Sequence, residues 1–151
     1  PSWIHQAIVA RLMGLLLVHI ERHIPGAFVL PAPVDVRLNP TRVVESDLVL
    51  ILPNQAAALA DTALIEGPPA VVVEVLSPST RAYDLRVKTQ LYADAGVPEI
   101  WIVDPEARRL DISVLGDGRN HPVPMKRGRP VSPALPEIAV EVAALFRGLP
   151  I

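Results

Sequence analysis

The sequence predicts an α/β domain with one mixed sheet and helices packed against it. Three observations predict this. Segments of helical and extended periodicity follow one another in the order helix, strands, helix, strand. Ala70 to Leu76 is apolar on both parities but for one glutamate, the mark of a central strand covered on both faces. The chain has 151 residues, of which 50% are hydrophobic, enough for one core and too apolar for a disordered chain.

The elements follow in order. His5 to His23 is a predicted helix, with Ile4, Ile8, Leu12, Leu15 and His19 at helical spacing and a stop at Pro25-Gly26. It is apolar on more than one face, so burial on two sides is expected. Phe28 to Leu38 alternates, with Val34, Val36 and Leu38 against Asp35 and Arg37, and predicts a strand or bent hairpin. Val43-Val44 and Asp47 to Leu52 are extended. Residues 54 to 65 are Ala-rich and suggest a short helix.

After the central strand, Arg81 to Ala95 is a helix, capped by Ser79 or Thr80 and ended by Gly96. Ile100 to Val103 is a strand stopped by Asp104-Pro105. Leu110 to Leu115 and His121 to Met125 flank Gly116-Asp117-Gly118 as a hairpin. A last strand near Ile138 to Val142 and a helical turn at Ala143 to Phe146 complete the tail. Residues 1–151 form a single domain on this pattern. The chain enters its first helix almost at once, so a further segment is expected upstream of Pro1.

Composition excludes several function classes. Without cysteine there is no disulfide scaffold and no thiolate metal site, which suits a cytoplasmic protein. The apolar run Leu12 to Ile20 is shorter than the ~20 residues of a membrane span, and no signal peptide is visible. A net charge of -2 gives no global pull toward nucleic acid or membrane. Ten of the 14 basic residues nevertheless lie beyond residue 80.

Glu74 interrupts the valines of VVVEVL. An ionised carboxylate buried there must be paired, protonated or metal-bound, because an isolated one costs several kcal/mol. A structural pair with Arg or Lys is the plainer outcome. The next helix adds weight to a site. Leu85, Lys88, Leu91, Tyr92 and Ala95 share one side, with Arg86, Gln90, Ala93 and Asp94 opposite, and Asp84 lies one turn before Lys88 on the packed side. Lys88 is therefore expected to reach Glu74. Asp47, opening its own apolar strand, serves either as a strand-start turn or as a second carboxylate sharing a divalent cation. Mg²⁺ or Mn²⁺ held by Asp47, Glu74 and the Val75 carbonyl, with Lys88 nearby, suits phosphodiester cleavage.

The string Asp47-Leu-Val-Leu-Ile, Val-Val-Glu74-Val-Leu-Ser-Pro-Ser-Thr, Asp84-x-x-x-Lys88-x-x-x-Tyr92 and Ala95-Gly-Val-Pro-Glu-Ile-Trp-Ile-Val-Asp-Pro105 resembles the Uma family, grouped with restriction endonucleases in the PD-(D/E)xK nuclease superfamily. The resemblance runs over almost the whole chain. It implies a restriction-endonuclease-like fold, a mixed sheet flanked by helices, and a Mg²⁺- or Mn²⁺-dependent endonuclease acting on nucleic acid, DNA above all. Asp47, Glu74 and Lys88 would be catalytic, with Asp47, Glu74 and Val75 at the metal and Asp84 and Tyr92 supporting. The sequence departs from the family twice. Ser46 stands where proline usually precedes the first Asp, and Leu76 stands where the superfamily's lysine usually lies, so Lys88 takes that role from the helix.

Other features carry less. Arg81, Arg86 and the Lys126-Arg127-Gly128-Arg129 loop are candidate phosphate contacts. His19-Ile-Glu-Arg-His23 is not a zinc-protease motif and predicts a surface or core-edge pair. His5 is expected to cap or pack at the helix start, and Trp101 to lie in the core. Ser77 lacks the partners of a nucleophile. The apolar first helix is a candidate homodimer interface. A catalytically inactive module on the same scaffold, binding nucleic acid or protein, is the alternative function.

Overall fold

A computed structural model of the chain describes residues 2–59, 63–78 and 81–151, without the side chains of residues 56–58 and 81–84. Helix α1 runs over Trp3–His23. Its N-cap is Ser2, whose hydroxyl accepts the His5 N–H at 3.2 Å. Strands β1 (Phe28–Pro31), β2 (Val36–Asn39), β3 (Arg42–Val44) and β4 (Leu48–Ile51) follow, then a 3-10 helix over Pro53–Leu59. Next come β5 (Ile65–Glu66), β6 (Val71–Val75) and α2 (Arg81–Asp94). The chain closes with β7 (Glu99–Asp104), β8 (Arg109–Gly116), β9 (Arg119–Pro122) and α3 (Val142–Phe146).

The strands make a six-stranded sheet in the order β1-β4-β6-β7-β8-β9 and a three-stranded sheet in the order β3-β2-β5. In the larger sheet only β6 and β7 pair in parallel, and α2 is their crossover. The sheet is therefore mixed, as expected. All five residues of β6 are buried, which fits its interior place.

Two apolar clusters cover the two faces. Val71, Val73, Val75, Leu48, Leu50 and Trp101 join Ile8, Leu12, Leu16 and Ile20 of α1. Val72, Val49, Ile51 and Ile100 join Tyr92 and Val97 together with Val36 and Ile65 of the small sheet. Strand parity thus sends Glu74, in step with Val72, to the α2 side.

Several expectations change. Phe28 to Leu38 is not one strand or hairpin, because β1 and β2 belong to different sheets. The helix expected over 54 to 65 is the shorter 3-10 segment, with residues 60–62 outside the described residues. Ile138 to Val142 forms no strand. Ile138 and Val140 face the core without a ladder partner among the described residues, so the alternation reports burial alone. The hairpin's second strand starts at Arg119, before the expected His121. Asp117 (φ 52°) and Gly118 (φ 74°) make a two-residue turn between β8 and β9. The helix stop at Gly96 holds, with φ 83° in the left-handed region that glycine adopts without strain. The proposed caps Ser79 and Thr80 lie outside the described residues.

Helix α1 buries one side, not two: Trp3 and Val18 are 65% and 53% exposed. At 21 residues and a mean hydropathy of 1.5 it is long and apolar enough to cross a membrane, contrary to the shorter run read from the sequence. Its buried stripe from Ile8 to Ile20 instead packs on the sheet as a core helix does. Ala93 of α2, expected on the open side, is buried. The β9 strand flanks α2, and Asn120 Nδ2 donates to the Thr89 carbonyl at 3.0 Å, so the helix is covered on a second side.

Candidate active site

Antiparallel β4 and β6 pair Leu48 with Val73 and Val49 with Val72. Carried one residue further, this register sets Asp47 opposite Glu74. The placement is locked by the Val75 N–H, which donates to Asp47 Oδ2 at 2.7 Å. Like charges directly opposed on neighbouring strands are destabilising. The pair needs a positive partner or a proton.

Glu74 is 6% exposed. Lys88, one helical segment later, brings Nζ to 3.5 Å from Oε1 and 3.4 Å from Oε2. Tyr92, one turn beyond Lys88, donates its hydroxyl to Glu74 Oε1 at 2.5 Å. The i, i+4 spacing of Lys88 and Tyr92 stacks them on one helix face, so both meet the same carboxylate. Burial is the largest influence on Glu74 and pushes its carboxyl up to about 7. The Lys88 ammonium and the Tyr92 hydroxyl pull it down, and Asp47 pushes it up further. Burial and the neighbouring Glu74 charge raise the Tyr92 phenol, which therefore stays protonated and donating.

Asp47, Glu74, Val75 and Lys88 line an open cleft of about 660 Å³ between the start of α1, the bend before β4 and the end of β6, with Tyr92 fully buried behind Glu74. Val75, Leu76 and Ser77 form one wall, His5 and Gln6 another, and among the described residues Lys88 is the one Lys or Arg in the lining. Of the expected set, the structure brings together Asp47, Glu74, Val75, Lys88 and Tyr92. The Asp84 and Arg81 side chains lie outside the described residues. Arg86 is exposed and does not line the cleft. Lys126, Arg127 and Arg129 lie on a separate turn that lines its own groove, and Arg129 pairs with Glu141.

Two residues of the site were not anticipated. Ser46, read as a minor departure, is 1% exposed, and its hydroxyl bonds the Tyr92 hydroxyl at 2.7 Å. It stands with Asp47 in the bend before β4, where strand alternation does not separate neighbours. His5 caps nothing with its ring. Nε2 lies 3.3 Å from Asp47 Oδ2, while Nδ1 bonds Gln6 Oε1 at 2.9 Å. No local pattern links His5 to Asp47, since only the packing of α1 on the sheet joins them.

Hard divalent cations take oxygen donors, commonly one or two carboxylates with water and phosphate completing the shell. Asp47 and Glu74 offer this, and the mutual repulsion of their charges is what such a cation would relieve. Among the described residues no group of three or more His, Cys, Asp or Glu side chains that could hold a metal ion is found. A second buried carboxylate, Glu99, has a different surrounding. It accepts from Trp101 Nε1 at 2.7 Å, Ser132 Oγ at 2.5 Å and the Ala134 N–H at 2.9 Å, and it serves to pin the tail to β7. His19 and His23 stack with ring centroids 4.6 Å apart, and His23 meets Glu137, as a core-edge pair does.

No curated protein matches the chain. Among solved structures, it is similar to a crystal structure described as "a putative nuclease belonging to DUF820" from Anabaena variabilis ATCC 29413. The TM-score is 0.76 at 13% identity, over 97% of this chain and 82% of that one. That likeness is one of fold, a mixed α/β sheet flanked by helices. A family model described as "Putative restriction endonuclease" matches residues 1–144, and the chain therefore belongs to the Uma2 family.

Proposed function

We propose that this protein is a divalent-metal-dependent endonuclease that hydrolyses phosphodiester bonds of nucleic acid, DNA in the first place. The observation that carries the proposal is the opposed pair Asp47 and Glu74 beside Lys88 in an open cleft. Asp47 and Glu74 would hold Mg²⁺ or Mn²⁺, with the Val75 carbonyl at the same strand end. Such an ion lowers the pKa of a bound water and offsets phosphate charge.

The chain's own residues do the rest. The Val75 N–H fixes the Asp47 carboxylate, and the Tyr92 hydroxyl fixes Glu74, so neither must reorganise as charge develops. The Lys88 ammonium is 35% exposed and sits at the cleft side of Glu74. From there it donates to a non-bridging phosphate oxygen and orients the attacking water. Arg81, Arg86, Lys126, Arg127 and Arg129 would contact flanking phosphates. A homodimer would present two clefts to the two strands of a duplex. The experiment is cleavage of plasmid DNA with Mg²⁺ or Mn²⁺ by wild type, Asp47→Asn, Glu74→Gln and Lys88→Ala. Cleavage by wild type alone is expected, and full cleavage by all three variants would overturn the proposal.

A second reading has one observation in its favour. Among the described residues Lys88 is the one Lys or Arg lining the cleft, whereas nucleic-acid surfaces are usually strongly basic. A catalytically inactive module on this scaffold would bind a partner through the same cleft. Thermal stabilisation by Mn²⁺ separates the two, because a working cation site gains stability by mass action.

A further inference from the structure

We infer that the turn over residues 126–129 is a DNA-reading arm, with the Arg127 guanidinium entering the minor groove of A·T-rich duplex; this rests on the endonuclease reading above for its substrate. The chain sets three cations within four residues here, although its net charge is -2. Lys126, Arg127 and Arg129 line an open groove of about 540 Å³ with Val131. Glu141 pairs with Arg129. Lys126 and Arg127 are exposed and have no carboxylate partner among the described residues. A guanidinium and an ammonium without counter-charge set up a local positive potential that attracts a polyanion. The cleft does not supply this grip, since its described lining sets Lys88 against Glu45, Asp47 and Glu74.

The arm is ordered in advance. Lys126 and Arg129 exchange backbone hydrogen bonds at 2.9 and 3.1 Å across the turn. Arg127 (φ 54°) and Gly128 (φ 74°) are its central residues, both left-handed as in tight two-residue hairpins. On one side the Val123 N–H donates to the Ile112 carbonyl of β8 at 2.8 Å. On the other, Pro130 and Ser132 are buried, and Ser132 Oγ donates to Glu99. Pro124 and Pro130 stiffen the two limbs. Such an arm loses little freedom on binding.

Its shape selects the groove. The apex presents one long side chain, and the neighbouring Gly128 adds none. The minor groove is about 6 Å wide, too narrow for a helix but open to a single extended guanidinium. A·T-rich tracts narrow it and concentrate negative potential there, which draws arginine in. A G·C pair instead places the guanine amino donor in the groove, where it opposes a group that can only donate. Arg127 would therefore read A·T over G·C, with Lys126 and Arg129 on the flanking phosphates.

The test measures binding by fluorescence anisotropy with chelator present, so that no cutting intervenes. The probes are short duplexes of equal length: one A·T-rich, one G·C-rich, and the G·C-rich one with inosine in place of guanine. Inosine removes the minor-groove amino group and leaves the major-groove edge unchanged. Wild type should bind the A·T-rich and inosine duplexes about tenfold more tightly than the G·C-rich one. Arg127→Gln should erase that preference. Arg127→Lys should keep the salt dependence and lose most of the preference, because an ammonium is more strongly hydrated. Lys126→Ala should weaken all three duplexes alike and lower the salt slope by about one. The comparison of duplexes uses unaltered protein, so it stands even if a variant fails to fold. Equal binding of the inosine and guanine duplexes by wild type, or a preference that survives in Arg127→Gln, overturns the inference. Failure of the endonuclease reading looks different: wild type would keep its A·T preference in chelator and cut no duplex with Mg²⁺ or Mn²⁺.

Discussion

The Tyr92 hydroxyl reaches Glu74 Oε1 at 2.5 Å and, on its other side, meets Ser46 Oγ at 2.7 Å. A buried chain of three polar groups thus runs from the bend before β4, through α2, to the carboxylate of β6. Tyr92→Phe removes the middle member. Ser46 loses a buried partner and Glu74 loses a donor that favours its ionised form. A loss of about 1–3 kcal/mol of stability is expected, with the Glu74 carboxyl pushed further up. Ser46→Ala should cost about 1 kcal/mol and leave cation binding in place, because the Tyr92–Glu74 bond survives. Denaturant unfolding of the two variants, with Mn²⁺ titration, checks the contrast. Equal loss of Mn²⁺ binding in both would argue against a direct role for Tyr92.

The raised carboxyl of Glu74 makes a prediction in the absence of metal. Its folded value of about 7 exceeds its ordinary 4.5. The folded state therefore binds the proton more tightly than the unfolded chain does. The stability this gives is complete below about pH 4.5 and is lost as the pH rises through 7. A shift of this size corresponds to roughly 3 kcal/mol. Glu74→Gln cannot titrate. In the presence of chelator it should gain on wild type between pH 5 and pH 8 by up to that amount. Parallel pH dependences of the urea midpoint in the two proteins would show that Glu74 is not the group responsible.

Lys88 separates stability from activity. Its ammonium stands 3.4 Å from Glu74 Oε2 and is 35% exposed, so solvent screens the pair. Lys88→Ala should change unfolding free energy by no more than about 1 kcal/mol. Cleavage should fall by about 100-fold or more, the usual weight of a positioned proton donor or charge stabiliser. Unfolding curves and initial rates on one preparation test both halves. A large stability loss with a proportionate fall in activity would make Lys88 a structural residue.

Much of this site was legible because it depends on local rules. Five buried positions in β6 with one glutamate, a turn, and Lys88 and Tyr92 at i, i+4 determine which groups meet. Strand parity and helical spacing suffice for that. His5 and Ser46 escaped because their partners are set by packing between distant elements and by a bend where parity fails. The tail misled for a related reason. Ile138 and Val140 alternate like a strand, yet both simply dip into the core. Ala93 is buried where the helix wheel set it on the open side, because a wheel does not show which further elements, β9 among them, pack on α2.

The two buried glutamates of the central strands give the last prediction. Glu99 is 2% exposed, more buried than Glu74, yet it was not singled out in the sequence. Its three donors, Trp101 Nε1, Ser132 Oγ and the Ala134 N–H, come from β7 itself and from the tail segment. No lysine takes part in those contacts, and Glu99 does not line the cleft. Glu99→Ala leaves all three donors without their acceptor and opens a cavity, so a loss of about 3 kcal/mol or more is expected. Glu99→Gln keeps an acceptor oxygen and should cost less. Both variants, studied below their unfolding transitions, should bind Mn²⁺ as wild type does, whereas Glu74→Gln should bind it poorly while remaining folded. Calorimetry on the three proteins, paired with thermal unfolding, measures this. Weakened Mn²⁺ binding in a well-folded Glu99→Gln would mean that the tail anchor and the cleft are one coupled unit, and the division between a structural and a chemical carboxylate would have to be abandoned.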